Sequence, residues 1–294
     1  MRPSEQARLE SLSPNRPVTF LFWNLGRKDL TGAVVAAVAE YGVDILILAE
    51  AEGLSVKGCL FTLNRDAGHK YFCPASGSKR LTVLTKFDSA FMQHVATGEP
   101  ASTARWTFHR LHLPHCHAVI VASVHLRSKV RAGEADQYKR ARRLSEEILR
   151  LEAIERSTRT LVVGDFNMDP FEPGMQACDG LHALLSRVEI SQRRGSRRDD
   201  ATDYRMFFNP GWRLHGEQVS GPPGSYYYAG DGTVVQYWHL FDQVLIRPAL
   251  LDGFSNSAIR ILDSIAGEPL LDSAGRPDTA RFSDHLPLLF RLEI

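Results

Sequence analysis

Gly164-Asp165-Phe166-Asn167 sets an acid and an amide on either side of an aromatic residue. The preceding run, Leu161-Val162-Val163, reads as a fully buried strand, and Gly164 lets the backbone bend where that strand ends. Side chains alternate along such a stretch, so Asp165 and Asn167 point one way and Phe166 the other. An acid and an amide at a strand end suit a metal-bound oxyanion and the water that attacks it. A strand that ends in a Gly-Asp turn is common and carries little weight alone. The weight comes from other polar residues that close apolar runs along the chain.

Asn24 ends the run over residues 18–23, and Glu50 follows a second run over residues 44–48 and Ala49. His125 closes the apolar segment 118–124, and Asp242 is the odd charge in the segment 240–246. Phe282-Ser283-Asp284-His285 leads into a last strand over residues 288–292. These ends must be brought together by the elements between them. Residues 31–41 are small and apolar at helical spacing and stop at Gly42. A strand, helix, strand order places the first two strands side by side with the helix on one face. Residues 59–95 read as short strands broken by turns, and residues 105–113 and 117–124 as a hairpin around Pro114. Tyr138, Ala141, Leu144, Ile148 and Leu151 mark one face of a helix whose other face carries Lys139, Arg140, Arg142 and Arg143. A further helix is expected through residues 175–185. Residues 187–200 read as a basic loop, either lying over a polyanion or simply exposed, with Arg193, Arg194, Arg197 and Arg198.

Composition limits the partners. Lys plus Arg number 35 against 34 Asp plus Glu, so any nucleic-acid contact must come from a local patch. Arg127 and Lys129, just after His125, are candidates for phosphate contact, with Arg193 and Arg194 in the basic loop. Trp212 and Tyr226-Tyr227-Tyr228 read first as core aromatics and second as surfaces on which bases stack. His109, His112, His115 and His117 match no zinc spacing, and surface strand histidines are expected there. Cys59, Cys73, Cys116 and Cys178 form no CxxC pair, which points to reduced thiols and a cytoplasmic location. The chain shows no apolar signal region and no run long enough to span a membrane. A polar N-terminal extension over residues 1–16 and a single domain over residues 17–294 are expected.

Trp23-Asn24, Leu48-Ala49-Glu50, Val124-His125-Leu126, Gly164-Asp165-Phe166-Asn167, Phe241-Asp242 and Ser283-Asp284-His285 together resemble the endonuclease/exonuclease/phosphatase, or deoxyribonuclease-I-like, superfamily. The motifs stand in the family's order and span nearly the whole chain. The resemblance implies an α+β, four-layer αββα sandwich: two packed mixed β-sheets with helices outside and the site at one edge. It implies a metal site of Glu50, with Asn24 and Asp284 completing or orienting its shell. Hard oxygen ligands of this kind suit Mg²⁺, with Mn²⁺ as a substitute. It further implies that Asp165 positions or deprotonates water and that Asn167 holds phosphate or water. His285, oriented by Asp242, then stabilises charge or serves as the base, and His125 is a second donor to phosphate.

Three departures bear on the branch. His125 stands where exonuclease III-like enzymes usually carry Tyr, Ala49 replaces a frequent Gln, and Gln243 follows Asp242 where Tyr is frequent. The leading expectation is a divalent-metal-dependent nuclease acting on DNA or RNA phosphodiesters. The alternative is a phosphatase or phosphodiesterase on inositol phosphates, lipid phosphates or other small esters. An inactive binding module is the minor alternative.

Overall fold

A computed structural model describes residues 16–66, 70–129, 133–217, 221–230 and 235–294. All but Arg16 of the expected N-terminal extension lies outside these residues. Two mixed sheets dominate. The first is built from β1 (Val18–Asn24), β2 (Ile45–Ala49) and β3 (Leu81–Thr85). The second takes β4 (Met92–Val95), β5 (Trp106–Leu111), β6 (Val119–His125), β7 (Thr160–Asp165), β8 (Ala183–Leu184), β9 (Phe207–Phe208) and β10 (Asp242–Ile246). The chain then returns to the first sheet with β11 (Ile259–Ile261) and β12 (Leu288–Leu292). Strand orders are β11-β12-β1-β2-β3 and β4-β5-β6-β7-β10-β9-β8.

The alternation of side chains explains the layers. Val119, Val121, Leu161, Val163, Val244 and Ile246 point to the interface with the first sheet, where they join Phe20, Phe22, Ile47 and Phe290 in one apolar cluster. Ile120, Ala122, Val124, Val162 and Leu245 point the opposite way, onto a second cluster. That second cluster is closed by Ala141, Leu144, Ile148 and Leu151 of a long helix over residues 134–155. Strands covered on both faces read as continuous apolar runs, which is why β1 and β6 are buried throughout. Phe20 and Phe290 are register partners and stack at 4.7 Å, adding about 1 kcal/mol beyond burial.

The helices cover the outer faces. α1 (Thr31–Tyr41) ends at Gly42, whose φ of 63° is the left-handed conformation expected of a glycine stop. β1 and β2 pair in parallel across it, the neighbourhood that the strand, helix, strand order predicts. α2 (Val56–Asp66) replaces the first of the short strands expected over 59–95; Val56, Cys59, Leu60 and Leu63 recur at helical spacing against the core. α3 (Glu134–Glu155) carries Glu134 and Asp136 in its first turn, where acids favour the helix dipole.

Three other expectations are corrected. Residues 175–185 do not form a helix. A single turn, α4 (Pro173–Gln176), is followed by β8: Ala177 leaves helical geometry at ψ 142°, and the Gly174 carbonyl accepts from the Leu181 N–H at 3.0 Å. The basic stretch 187–200 is ordered structure. It comprises α5 (Arg187–Gln192), capped by the Ser186 hydroxyl, and one strand of a ribbon in which Ser196–Asp199 pairs with Thr202–Arg205. His109 is fully buried rather than on the surface, its Nε2 2.8 Å from the Ala75 carbonyl. The four cysteines are free. Among the described residues no helix is long and apolar enough to cross a membrane.

Candidate active site

The two sheets deliver their polar strand ends to one edge. β6 and β7 run parallel and β10 runs against them, so His125, Asp165 and Asp242 lie side by side in register. Gly164 makes this approach possible. Its φ is 151°, and a Cβ there would lie 1.9 Å from the Val124 carbonyl oxygen. From the other sheet come Asn24, at the end of β1, and Glu50, just past β2. The loop before β12 brings Asp284 and His285, and Ser283 anchors it by donating to the Asn24 carbonyl at 2.6 Å. Trp23 Nε1 donates to the His285 carbonyl at 2.9 Å.

Asp165 is the junction between the sheets. Its Oδ2 accepts from Asn24 Nδ2 at 3.0 Å and its Oδ1 from the Asn167 backbone N–H at 2.8 Å. Asn167 sits in the left-handed region, at φ 51°, a conformation asparagine tolerates better than most residues. It is held there by Nδ2 donating to Leu126 and by Gln137 Nε2 donating to its carbonyl at 2.6 Å. Burial pushes the Asp165 carboxyl up to about 7, against the pull of His285 and of its two donors.

His285 Nδ1 is 2.8 Å from Asp242 Oδ2, which puts a proton on Nδ1 and leaves Nε2 facing Asp165, 4.0 Å from Oδ2. Burial disfavours the His285 cation, but the charge and hydrogen bond of Asp242, with Asp165 and Asp284, outweigh it and raise the group to about 10. The Tyr226 ring lies against the imidazole, centroids 4.6 Å apart. His125 is the opposite case. Burial, then Arg105 and His285, push it down to about 3. Its Nε2 is 3.6 Å from Glu50 and 3.8 Å from Asp165, and its Nδ1 is buried without a partner.

These groups face a cavity of about 710 Å³ lined by Asn24, Glu50, His125, Asp165, Asn167, Asp284 and His285. Asp242 stands behind it through His285. The oxygens of Glu50, Asn24 and Asp284 form a hard donor set fit for Mg²⁺ or Mn²⁺. The backbone makes room for it, because a side chain on Gly26 would stand 3.1 Å from Asp284 Oδ1. Asp165, Asp242 and His285 also offer atoms within 4.8 Å of one another. That trio is better explained as a hydrogen-bonded Asp242–His285 pair facing Asp165, since Asp242 already occupies His285 Nδ1 and all three side chains are buried. A small cation that keeps several waters needs the open side of the cavity.

The remaining candidates separate. Lys129 lines the cavity but is paired with Glu172 and lies over the Phe241 ring at 5.2 Å. Arg127 lines two adjoining hollows. Arg193 pairs with Glu189, and Arg194 lines a separate hollow beside Pro248; neither lines the Asp165 cavity. Sequence reasoning missed Ser283 as an anchor and the pair formed by His239 Nδ1 and Asp169 Oδ2 at 2.7 Å. The signal for that pair was present, since Asp169 follows the Gly164–Asn167 motif by two residues and His239 precedes Phe241-Asp242 by two residues. Gln243, whose packing the departure from Tyr left open, is satisfied: it accepts from Asn209 and donates to Met168 and Leu240.

A sequence model of the Endonuclease/Exonuclease/phosphatase family matches residues 21–285. No curated protein sequence matches the chain. Several solved structures share its fold. ANGEL2, a 2',3'-cyclic phosphatase solved with adenosine-2',3'-vanadate, is 14% identical with a TM-score of 0.58, over 95% of this chain and 96% of that one. Truncated Caenorhabditis elegans TDP2 is 15% identical with a TM-score of 0.51, over 94% and 97%. A family protein from Leptotrichia buccalis is 10% identical with a TM-score of 0.52, over 94% and 100%.

Proposed function

The chain belongs to the endonuclease/exonuclease/phosphatase family, and from that membership and the cavity we propose a divalent-metal-dependent nuclease that hydrolyses DNA phosphodiesters, with RNA as the second candidate substrate. We further propose that one domain, residues 17–294, carries the activity. The observation behind this reading is the convergence, in one cavity, of a buried acid held by two amide donors, an Asp-His pair and an open oxygen donor set.

In this reading Glu50, Asn24 and Asp284 hold the cation. When bound, it supplies Lewis-acid polarisation of a phosphoryl oxygen and relief of charge on the leaving oxygen. Asp165 accepts the proton of the attacking water. Its burial favours that role, because a carboxylate raised toward neutrality is a stronger base than an exposed one. Asn24 and Asn167 fix its two oxygens, so the water meets one orientation. His285 is held with Nδ1 on Asp242, so Nε2 is the atom that donates to a phosphoryl oxygen as negative charge builds. His125, neutral in its buried setting, adds a wall and a donor without a charge.

The test is hydrolysis of end-labelled single- and double-stranded DNA by purified protein with Mg²⁺ or Mn²⁺, against EDTA, Asp165→Asn and Glu50→Gln. We expect metal-dependent cutting that falls at least about 100-fold in Asp165→Asn, the usual weight of a positioned base. DNA left intact under both metals overturns the DNA assignment. RNA, inositol phosphates and phospholipid head groups then identify which phosphate ester the cavity serves.

A further inference from the structure

On the His125 side of the site the charge changes sign. Two further hollows, of about 400 and 350 Å³, are both lined by Arg80, Arg105 and Arg127. The smaller shares Glu50, His125 and Arg27 with the Asp165 cavity, and the larger extends to Arg140 and Arg143 on α3. The three spaces therefore form one track running away from the reacting centre.

The arginines along it are short of partners. Arg143 pairs with Glu99, and Arg27 lies 3.4 Å from Glu50. Arg80, Arg105, Arg127 and Arg140 make no carboxylate ion pair among the described residues. The Nε atoms of Arg80 and Arg140 and the indole N–H of Trp106, which lines the same hollow, are buried with no acceptor. Buried donors are nearly always satisfied, and one left unpaired is costly to the folded state. Burial and then Arg80, Arg127 and Arg140 push Arg105 down to about 10, while Glu50 pulls it back. Asp136 and Glu99 act the same way on Arg140. Three carboxylates facing six guanidiniums leave the track positive.

We propose that this arginine track is a second phosphate subsite, which takes a backbone phosphate flanking the scissile one in a nucleic-acid strand. The inference rests on the phosphodiesterase reading of the Asp165 cavity and names what extends beyond it. Planar guanidinium forks match phosphate oxygens two at a time, and a buried Nε–H beside an indole N–H gives donors a strand phosphate would satisfy. Phosphate contacts position a strand without reading its bases. The subsite therefore sets register along the strand and gives preference for substrates bearing a second phosphate.

Two measurements test it. The first is binding of a fluorescent oligothymidylate to Asp165→Asn protein with and without Arg80→Gln and Arg140→Gln, titrated with salt. Each strand phosphate contributes about 0.7 to the slope of log K against log salt. The double replacement is expected to make that slope shallower by roughly 0.7, the share of one phosphate, and to weaken binding at least tenfold at low salt. An unchanged slope overturns the subsite, as does binding of inositol hexakisphosphate, but not the strand, through these arginines. The second compares hydrolysis of the p-nitrophenyl ester of thymidine 5'-phosphate with the same ester carrying a 3'-phosphate. The unaltered enzyme is expected to favour the second by at least tenfold in kcat/KM, and Arg80→Gln/Arg140→Gln, or Arg80→Gln alone, to erase much of that ratio. A metal-dependent enzyme with the same ratio in all proteins overturns the subsite and leaves the nuclease reading standing. No hydrolysis of either ester, together with intact DNA, overturns the nuclease reading, and the binding titration still judges the subsite. Arg193→Gln, paired with Glu189 away from the track, is expected to keep the full ratio.

Discussion

Acid should find His109 before most of the molecule. This histidine is wholly inside β5, with Nε2 donating to the Ala75 carbonyl at 2.8 Å and Nδ1 buried without a partner. A second proton would create a buried cation whose new N–H has no acceptor. Burial accordingly pulls the group down from 6.5 to about 4, partly offset by the Ala75 hydrogen bond, with His94 adding a small repulsion. The sign follows from linkage. Above pH 6.5 neither the folded nor the unfolded chain carries the proton, and the full stability is present. As pH falls from 6.5 to about 4 the unfolded chain takes up a proton that the folded chain refuses, so stability is lost; below 4 the loss is complete. The gap of 6.5 − 4 = 2.5 units corresponds to roughly 3 kcal/mol, with a slope no steeper than about 1.4 kcal/mol per pH unit.

Urea unfolding of the unaltered chain and of His109→Gln, from pH 7.5 to 4, isolates this group because other titrations cancel in the difference. The stability advantage of the unaltered chain over the variant should shrink by roughly 3 kcal/mol across that window. A difference that stays constant with pH within about 0.5 kcal/mol, the ordinary reach of a surface substitution, refutes the reasoning.

Three other perturbations follow from single contacts. Asp242→Asn removes the charge that holds His285 Nδ1, and we expect kcat to fall at least about 100-fold with KM nearly unchanged; a fall confined to KM contradicts this. Gly164→Ala places a Cβ 1.9 Å from the Val124 oxygen at φ 151°, so the chain should lose at least about 3 kcal/mol; a melting temperature within 2 °C of the original, itself worth only about 1 kcal/mol at this size, argues that β6 and β7 can part. Glu152→Gln strips the buried Arg247 of a carboxylate 2.8 Å away, and Arg205 of one at 2.7 Å, at a cost of about 3–5 kcal/mol by urea unfolding. Glu152→Leu with Arg247→Met should recover most of that loss, because the unpaired charge is then gone as well.

The ends of the buried strands were legible because burial on both faces leaves few polar residues in them. Asn24, Glu50, His125, Asp165 and Asp242 stand out from their apolar runs for that reason, and parallel pairing of β6 with β7 puts two of them in register. α2 was hidden by its own composition: Lys57, Gly58, Thr62 and Asn64 dilute the stripe of Cys59 and Leu63, and the residues that face solvent favour no single period. The helix expected over 175–185 stops where Ala177 leaves helical geometry at ψ 142° and the Gly174 carbonyl turns to the Leu181 N–H, a tertiary turn that only the fold reveals. The basic stretch near Arg193 drew notice because its charges are contiguous. The arginines that gather beside His125 are scattered, one before β3, one before β5, one after β6 and others on α3. No window of sequence contains that track.

The site divides electrostatically, and the division follows from what is buried beside what. At one end Asp242 makes a cation of His285 worth keeping in the interior, because the attraction of a carboxylate at 2.8 Å offsets the solvation the imidazolium loses. At the other end the arginines occupy the positive role, so the buried His125 between them and Asp165 stays neutral. A phosphate in the cavity would thus meet a charged donor on its Asp242 side and a charged track on its Arg105 side, with the uncharged His125 between. Had His125 been a cation too, its repulsion with Arg105 and His285 would have fallen on the folded state even when no substrate was present. Keeping it neutral lets positive charge stand on both sides of the reacting phosphate without a third buried cation at the centre.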